Sequence, residues 1–216
     1  DASWSRGLGD VYKRQAKNDV EQKEKFLKII QVEAERMQRL VNDTLSLTRV
    51  EESEYQTPNE RVSLWYCANS ACDSVQTLAD KKNIKISFQK EYQKDEFFIK
   101  GNADQITEVF ENLLDNAITY SKDDTNITIA FSEKEENIEF KIIDQGHGIP
   151  KDDIVRVSER FFRSKTANMY KKNSSGLGLA IVKHIINRHA GSLLIESTEG
   201  KGSTFTITLP KFPASS

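Results

Sequence analysis

From Asp19 to Glu52 the chain runs without Gly or Pro, and apolar residues return at steps of three and four: Phe26, Ile30, Ala34, Met37, Val41 and Leu45, flanked by Ile29, Leu40 and Leu47. That spacing predicts one helix with a broad apolar stripe, roughly 50 Å long at ~1.5 Å per residue. A lone helix cannot bury such a stripe, so it is expected to pack against another helix or another chain. The polar stretch Glu51 to Glu60, with Pro58 inside it, breaks the period and reads as a linker. The pattern then predicts a helix over Leu64–Lys81, a strand over Ile84–Gln89, a short strand near Phe97–Ile99 and a helix over Ala103–Ser121. Alternation at Ile127, Ile129 and Phe131 marks a strand Asn126–Ser132, joined through the polar turn Glu133 to Asn137 to a strand Asn137–Ile143. Residues 145–175 hold Gly, Ser, Lys and Asn with little period, as a long functional loop would. A third helix, Leu177–His189, is expected to end on Gly191 as its C-cap. Strands Ser192–Ser197 and Thr204–Leu209 close the chain. Several strands and three helices predict an α+β fold, a two-layer sandwich with the helices on one face, preceded by the long N-terminal helix.

This divides the chain into a leader or scar (1–17, with no period over Asp1 to Gln15), a bundle helix (18–52), a linker (53–62) and a folded domain (63–212). The 216 residues are 37% hydrophobic and 30% charged, which suits a globular protein and not a disordered one. A net charge of −2 gives no electrostatic case for nucleic acid or a membrane surface. No apolar run approaches the ~20 residues of a membrane span, and no secretory signal opens the chain. Cys67 and Cys72 lack the second ligand pair of a zinc site and read as packing residues in a reducing compartment.

Four short segments carry the candidate chemistry. Asn112 and Asn116 stand four apart on one helix, so they share a face, with Leu113, Leu114 and Ala117 opposite. Their amide oxygens suit Mg²⁺, a hard cation that keeps waters and takes further ligands from phosphates; solvent-facing asparagines are the plain alternative. Asp144 ends the apolar run Phe140-Lys141-Ile142-Ile143, where a carboxylate can accept from an exocyclic amine such as that of adenine. Gly146 and Gly148 after it let backbone approach a ligand, although the same residues make an ordinary turn. Arg160, Arg163 and Lys165 supply cations to the loop, fit for phosphate or simply solvated. Gly176 and Gly178 open a helix whose bare amides and dipole favour phosphate. Neither a Walker nor a Rossmann pattern occurs. Together the segments describe a nucleotide site.

Their order resembles that of bacterial sensor histidine kinases, specifically the catalytic ATP-binding domain with the Bergerat fold, over about Phe26 to Pro210. Glu111-Asn112-Leu113-Leu114-Asp115-Asn116-Ala117 resembles the N box, and Asp144-Gln145-Gly146-His147-Gly148-Ile149 the G1 box. Glu159-Arg160-Phe161-Phe162-Arg163 resembles the F box, Ser175-Gly176-Leu177-Gly178-Leu179-Ala180-Ile181-Val182 the G2 box, and Gly200-Lys201-Gly202-Ser203-Thr204-Phe205 the closing glycine motif. The resemblance implies that Asp144 holds the adenine amino group and that Tyr120 lies against the nucleotide. It implies that Asn116, with Asn112 beside it, binds Mg²⁺, and that Gly146, Gly148, Ile149 and Thr204 line the ATP. Gly176, Leu177, Gly178 and Leu179 would hold the phosphates through backbone, and Arg163 would approach the γ-phosphate or the acceptor. Asn112 and Arg163 would be the catalytic residues, and 146–175 the ATP lid. Phosphoryl transfer of this kind needs placement and charge neutralisation more than covalent help.

Three departures matter. Thr119 stands where the family usually has a lysine, and Ser174 where the G2 box often has another glycine. Glu24 to Arg49 resembles the second helix of the dimerisation and phosphoacceptor hairpin, but no histidine precedes His147, and His147, His184 and His189 read as surface or packing residues. The expected function is therefore the catalytic part of a two-component histidine kinase acting on a histidine outside this sequence. The expected partners are ATP, a response regulator receiver domain and a second copy in the parent protein, with no nucleic acid. The expected location is cytoplasmic, with the parent anchored in the inner membrane. Two other readings remain: a related ATPase, which would carry a glutamate base at Asn112, and a degenerate nucleotide-binding or dimerisation module, which Thr119 favours.

Overall fold

The computed structural model describes residues 20–52, 58–90, 97–164 and 175–213. The leader, the first part of the linker, Lys165 and Ser174 lie outside the described residues. Helix α1, Val20–Glu52, is the long helix expected from the stripe, and Phe26, Ile30, Met37, Val41 and Leu45 along it are exposed.

After α1, strand β1 (Glu60–Ser63) leads into helix α2 (Leu64–Asp80), strand β2 (Lys85–Phe88), strand β3 (Phe98–Gly101) and helix α3 (Ala103–Tyr120). Strands β4 (Asn126–Lys134) and β5 (Asn137–Ile143), the short helix α4 (Lys151–Ile154), helix α5 (Gly178–Arg188) and strands β6 (Ser192–Thr198) and β7 (Gly202–Pro210) follow. The linker expected over 53–62 is shorter than that, because Glu60–Ser63 is a strand, antiparallel to β3 with Glu60 opposite Gly101. Four residues are too few to display a period, and the partner strand lies far along the chain. Helix α4 lies inside the stretch read as loop, with Asp152 and Asp153 in its first turn; one turn of helix has no periodicity to detect.

Five strands form one sheet in the order β2-β4-β5-β7-β6, parallel between β2 and β4 and antiparallel elsewhere. Alternation sends Ile127, Ile129, Phe131, Ile138, Phe140, Ile142, Phe205, Ile207 and Leu209 into the core. Helix α3 packs between α2 and α5 and buries Ile106, Val109, Phe110, Leu113, Leu114, Ala117 and Ile118, a stripe at helical spacing. Phe110 stacks on Phe140 with ring centroids 4.3 Å apart, joining the helix layer to the sheet. Asn102 caps α3, its side-chain oxygen accepting from Gln105 N at 3.0 Å. The two-layer sandwich of the sequence reading is thus the observed fold.

The end of α5 differs from expectation. Ala190, at φ 52, takes the left-handed position assigned to Gly191. Gly191 N donates to Ile186 O at 2.9 Å, and a Cβ on Gly191 would sit 2.5 Å from Thr208 O. The glycine is there because β7 passes too close for a side chain. His189 is buried beside it and joins two elements: Asn102 N–H donates to its Nε2 at 3.1 Å, and its Nδ1 lies 2.8 Å from Ile185 O. Accepting at Nε2 requires the tautomer with the proton on Nδ1. Burial holds the ring's pKa below the usual imidazole range. Both cysteines are free, and burial pushes their thiols up, Cys72 to about 11; they are packing residues, as read.

Candidate nucleotide site

Strand β5 carries Asp144 to the end of the sheet, and the carboxylate is buried there. Its Oδ1 accepts from Gly146 N at 2.8 Å and from Ser203 N at 3.1 Å. Its backbone N donates to Ser203 O at 2.9 Å. Among the described residues both side-chain bonds fall on Oδ1, which leaves Oδ2 as an acceptor for a ligand. Burial raises the carboxyl above its usual range, and the Gly146 and Ser203 amides oppose that rise.

The turn after Asp144 is locked on two sides. His147 N donates to Tyr120 O at 3.1 Å, and a Cβ on Gly146 would fall 2.6 Å from that same oxygen. The end of α3 and the G1 turn are therefore in backbone contact, which only glycine permits. On the other side, Gly200 N donates to His147 O at 2.7 Å, and Ile149 N donates to Ser197 Oγ at 2.8 Å. Gly148 faces the Thr198 carbonyl too closely for any Cβ. Gly202, at φ 110, does the same against the Asp144 carbonyl, so no other residue fits its conformation or its space. Ser197 Oγ, which donates to Gly202 O at 3.0 Å, and the Ser203 backbone are parts of the site that the sequence reading missed. The only local signal was the Gly200–Gly202 pair between them.

A second cluster lies along α3. Asn112 and Asn116 are both half-buried, one turn apart, as their spacing required. Asn112 Nδ2 donates back to Glu108 O at 3.0 Å, which fixes the amide and turns Oδ1 outward. A Cβ on Gly178, the first residue of α5, would meet that Oδ1 at 2.7 Å. The asparagine oxygen thus sits at the opening of the glycine-led helix. Among the described residues no side chain caps α5; its N-cap is Leu177, whose own amide donates to Ser175 Oγ at 3.1 Å. The fixed oxygen of Asn112, with Asn116 one turn on, is a hard donor set that fits Mg²⁺ completed by phosphate oxygens and water.

The F box and G2 box meet as well: Phe161 N donates to Gly176 O at 3.0 Å, with Phe161 itself at φ 62 and exposed. The Arg156 guanidinium lies over the Phe162 ring, 4.4 Å from its centroid. Arg163 follows, half-buried. Thr204 pairs with Ile143 across β5 and β7, next to Asp144. The structure therefore assembles Asp144, Gly146, Gly148, Ile149, Tyr120 and Thr204 around one turn. It brings Asn112 and Gly178 together at a second point, and Phe161 and Gly176 at a third, with Leu177, Leu179 and Arg163 adjoining by chain position.

A family described as histidine kinase-, DNA gyrase B-, and HSP90-like ATPase matches residues 101–213. The sensor histidine kinase WalK of Bacillus subtilis is 35% identical over 188 residues, 86% of this chain and 30% of that protein. The phosphate regulon sensor protein PhoR of Pseudomonas aeruginosa is 34% identical over 83% of this chain and 40% of its own. The chain thus spans well under half of either relative. Among solved structures, the mycobacterial sensor histidine kinase MprB superposes with a TM-score of 0.59 at 26% identity, over 72% of this chain and 99% of that one.

Proposed function

Because the chain belongs to the histidine kinase-, DNA gyrase B-, and HSP90-like ATPases and has sensor histidine kinases for relatives, we propose that it binds Mg-ATP and delivers the γ-phosphoryl group to a histidine outside this sequence. The observation that carries this reading is Asp144. Its Oδ1 is pinned by two backbone amides while Oδ2 is left to accept, which is what recognition of an adenine amino group requires. Tyr120 and the Gly146 turn would flank the base. Asn112 and Asn116 would hold Mg²⁺, which would supply positive charge against that of the phosphates. The start of α5, with Gly176, Leu177, Gly178 and Leu179, would take phosphate oxygens on its amides. Arg163 would draw charge from the γ-phosphate as it moves. In the transfer itself the acceptor imidazole nitrogen bonds to the γ-phosphorus while the bridging oxygen leaves with ADP, so no base for water is needed. Asn112, an amide that cannot act as a base, is consistent with transfer to protein and not with efficient hydrolysis. The phosphohistidine would pass its group to a response regulator receiver domain. The exposed stripe of α1 is the surface through which a second copy would join the parent protein.

The test has two arms. Calorimetric titration of the chain with a non-hydrolysable ATP analogue is expected to give binding that Mg²⁺ strengthens. A longer polypeptide carrying the acceptor helix is expected to become labelled from γ-³²P-ATP, with an acid-labile, alkali-stable phosphate. A folded chain that binds no analogue would refute the reading and favour a dimerisation module.

A further inference from the structure

The four motifs leave out the residue that fixes the end of α3. Lys82 lies in the turn after α2, far from any motif in sequence. Its Nζ donates to Ile118 O at 2.9 Å, Thr119 O at 2.8 Å and Ser121 O at 3.0 Å. All three ammonium protons are used. The lysine is itself anchored: its backbone N donates to Ala79 O, and its carbonyl accepts from Asp124 N, both at 3.0 Å. Beside it Asn83 Nδ2 donates to Asp124 Oδ1, closing the turn against the loop that follows α3.

The bonds of Lys82 leave one carbonyl at the helix end for another purpose. Ala117 O is taken by Ser121 N, and Tyr120 O is taken by His147 N. Tyr120 O is thus the link to the G1 turn, and the carbonyls on either side of it are held by a single ammonium. Helices leave their last carbonyls without intrahelical partners, and a cation there also meets the negative end of the dipole. Three carbonyls converging on one point suit a compact ammonium and not a planar guanidinium.

We propose that Lys82 is a positioning residue for nucleotide binding. It sets the Tyr120 carbonyl against the Gly146–His147 turn and thereby holds Asp144 in its accepting geometry without touching the ligand. The inference rests on the nucleotide reading above for its consequence, but its structural half stands alone. It also bears on Thr119: the family's usual lysine is absent from the N box, and here a lysine from another element secures that same peptide by its carbonyl.

The test uses the 216-residue chain with Lys82→Met and Lys82→Arg, compared with wild type under one set of conditions. Amide hydrogen exchange is read at Gly146 and His147, with Ile129 and Phe140 in the core strands as references. Affinity for the Mg²⁺-bound ATP analogue is read in parallel. In Lys82→Met the His147 and Gly146 amides are expected to exchange at least tenfold faster with the references unchanged, and analogue affinity to fall about tenfold; arginine is expected to recover only part of each. Exchange that rises equally at all four amides, or at none, would overturn the proposal, as would full recovery by arginine. Lys82→Gln carries the same readouts if the methionine variant does not fold. A wild type that binds no analogue, with the selective rise in exchange still present, would fault the nucleotide reading and uphold the clamp.

Discussion

Replacing Asp144 by asparagine isolates the chemistry of one oxygen. The amide is nearly isosteric, so its oxygen can keep the position of Oδ1 and still accept from Gly146 N and Ser203 N. Each bond changes from charge-assisted to neutral, falling from about 1.5–3 to about 0.5–1.5 kcal/mol. Together that is a loss of about 2 kcal/mol. Against it stands removal of a buried charge, whose burial outweighs the two amides in setting the direction of the pKa. The unliganded variant is therefore expected to be as stable as wild type at neutral pH, or up to ~1 kcal/mol more stable. The ligand meets the opposite change, because Oδ2 becomes an NH₂ that faces the adenine amino group donor to donor. Losing a charge-assisted bond and adding that conflict costs about 3 kcal/mol, roughly a hundredfold in Kd. Acidity gives a further check. Folding raises this carboxyl, so between the ordinary aspartate value and the raised one the folded state binds the proton more readily. Its contribution is complete below that window and is lost as pH rises through it. The variant should lack that slope. Wild-type affinity should weaken as pH falls through the raised value, since a protonated carboxyl accepts poorly. Urea unfolding across pH and calorimetry with the ATP analogue measure both quantities. A variant that binds within threefold of wild type, or that loses more than about 2 kcal/mol of stability along with its affinity, would refute the argument, the second outcome making Asp144 a structural staple.

Other substitutions probe the rest of the site and its support. Gly178→Ala presses a methyl group on Asn112 Oδ1; it should leave stability within about 1 kcal/mol, while Mg²⁺-dependent analogue binding, followed by titrating the metal, weakens about tenfold. His189→Phe strands the Asn102 N–H, while the Ile185 carbonyl keeps the backbone N–H of residue 189, and it should cost about 1–3 kcal/mol in denaturant unfolding. In wild type the folded state holds this ring below its ordinary pKa of ~6.5. Its stabilisation is complete above that value and declines as pH falls toward the lowered one, a slope the Phe variant should not have. Phe110→Ala opens the stack on Phe140 and should cost about 3–5 kcal/mol, read as a shift in the urea midpoint.

The core and the order of motifs were legible because each depends on near neighbours. The alternation of β4, β5 and β7 and the stripe of α3 announce their own faces, and glycines beside an aspartate mark a turn wherever it is placed. What escaped reading depends on residues distant in sequence. Strand β1 is a strand because β3 lies beside it, and Ser203 serves Asp144 because β7 pairs with β5. Lys82 has no local pattern to mark it, because the carbonyls it holds belong to the end of α3, distant in sequence. Gly191 was assigned to the helix end on local grounds, while its reason is the nearness of Thr208 on another strand.

The bonds between the turns at 144–149 and 198–203 also set how this sequence can change length. Each turn is bonded to the other, Gly148 has no room for a side chain beside Thr198, and Gly202 has none beside Asp144. An insertion or deletion in one turn therefore demands a matched change in its partner, so both should keep their spacing as the sequence diverges.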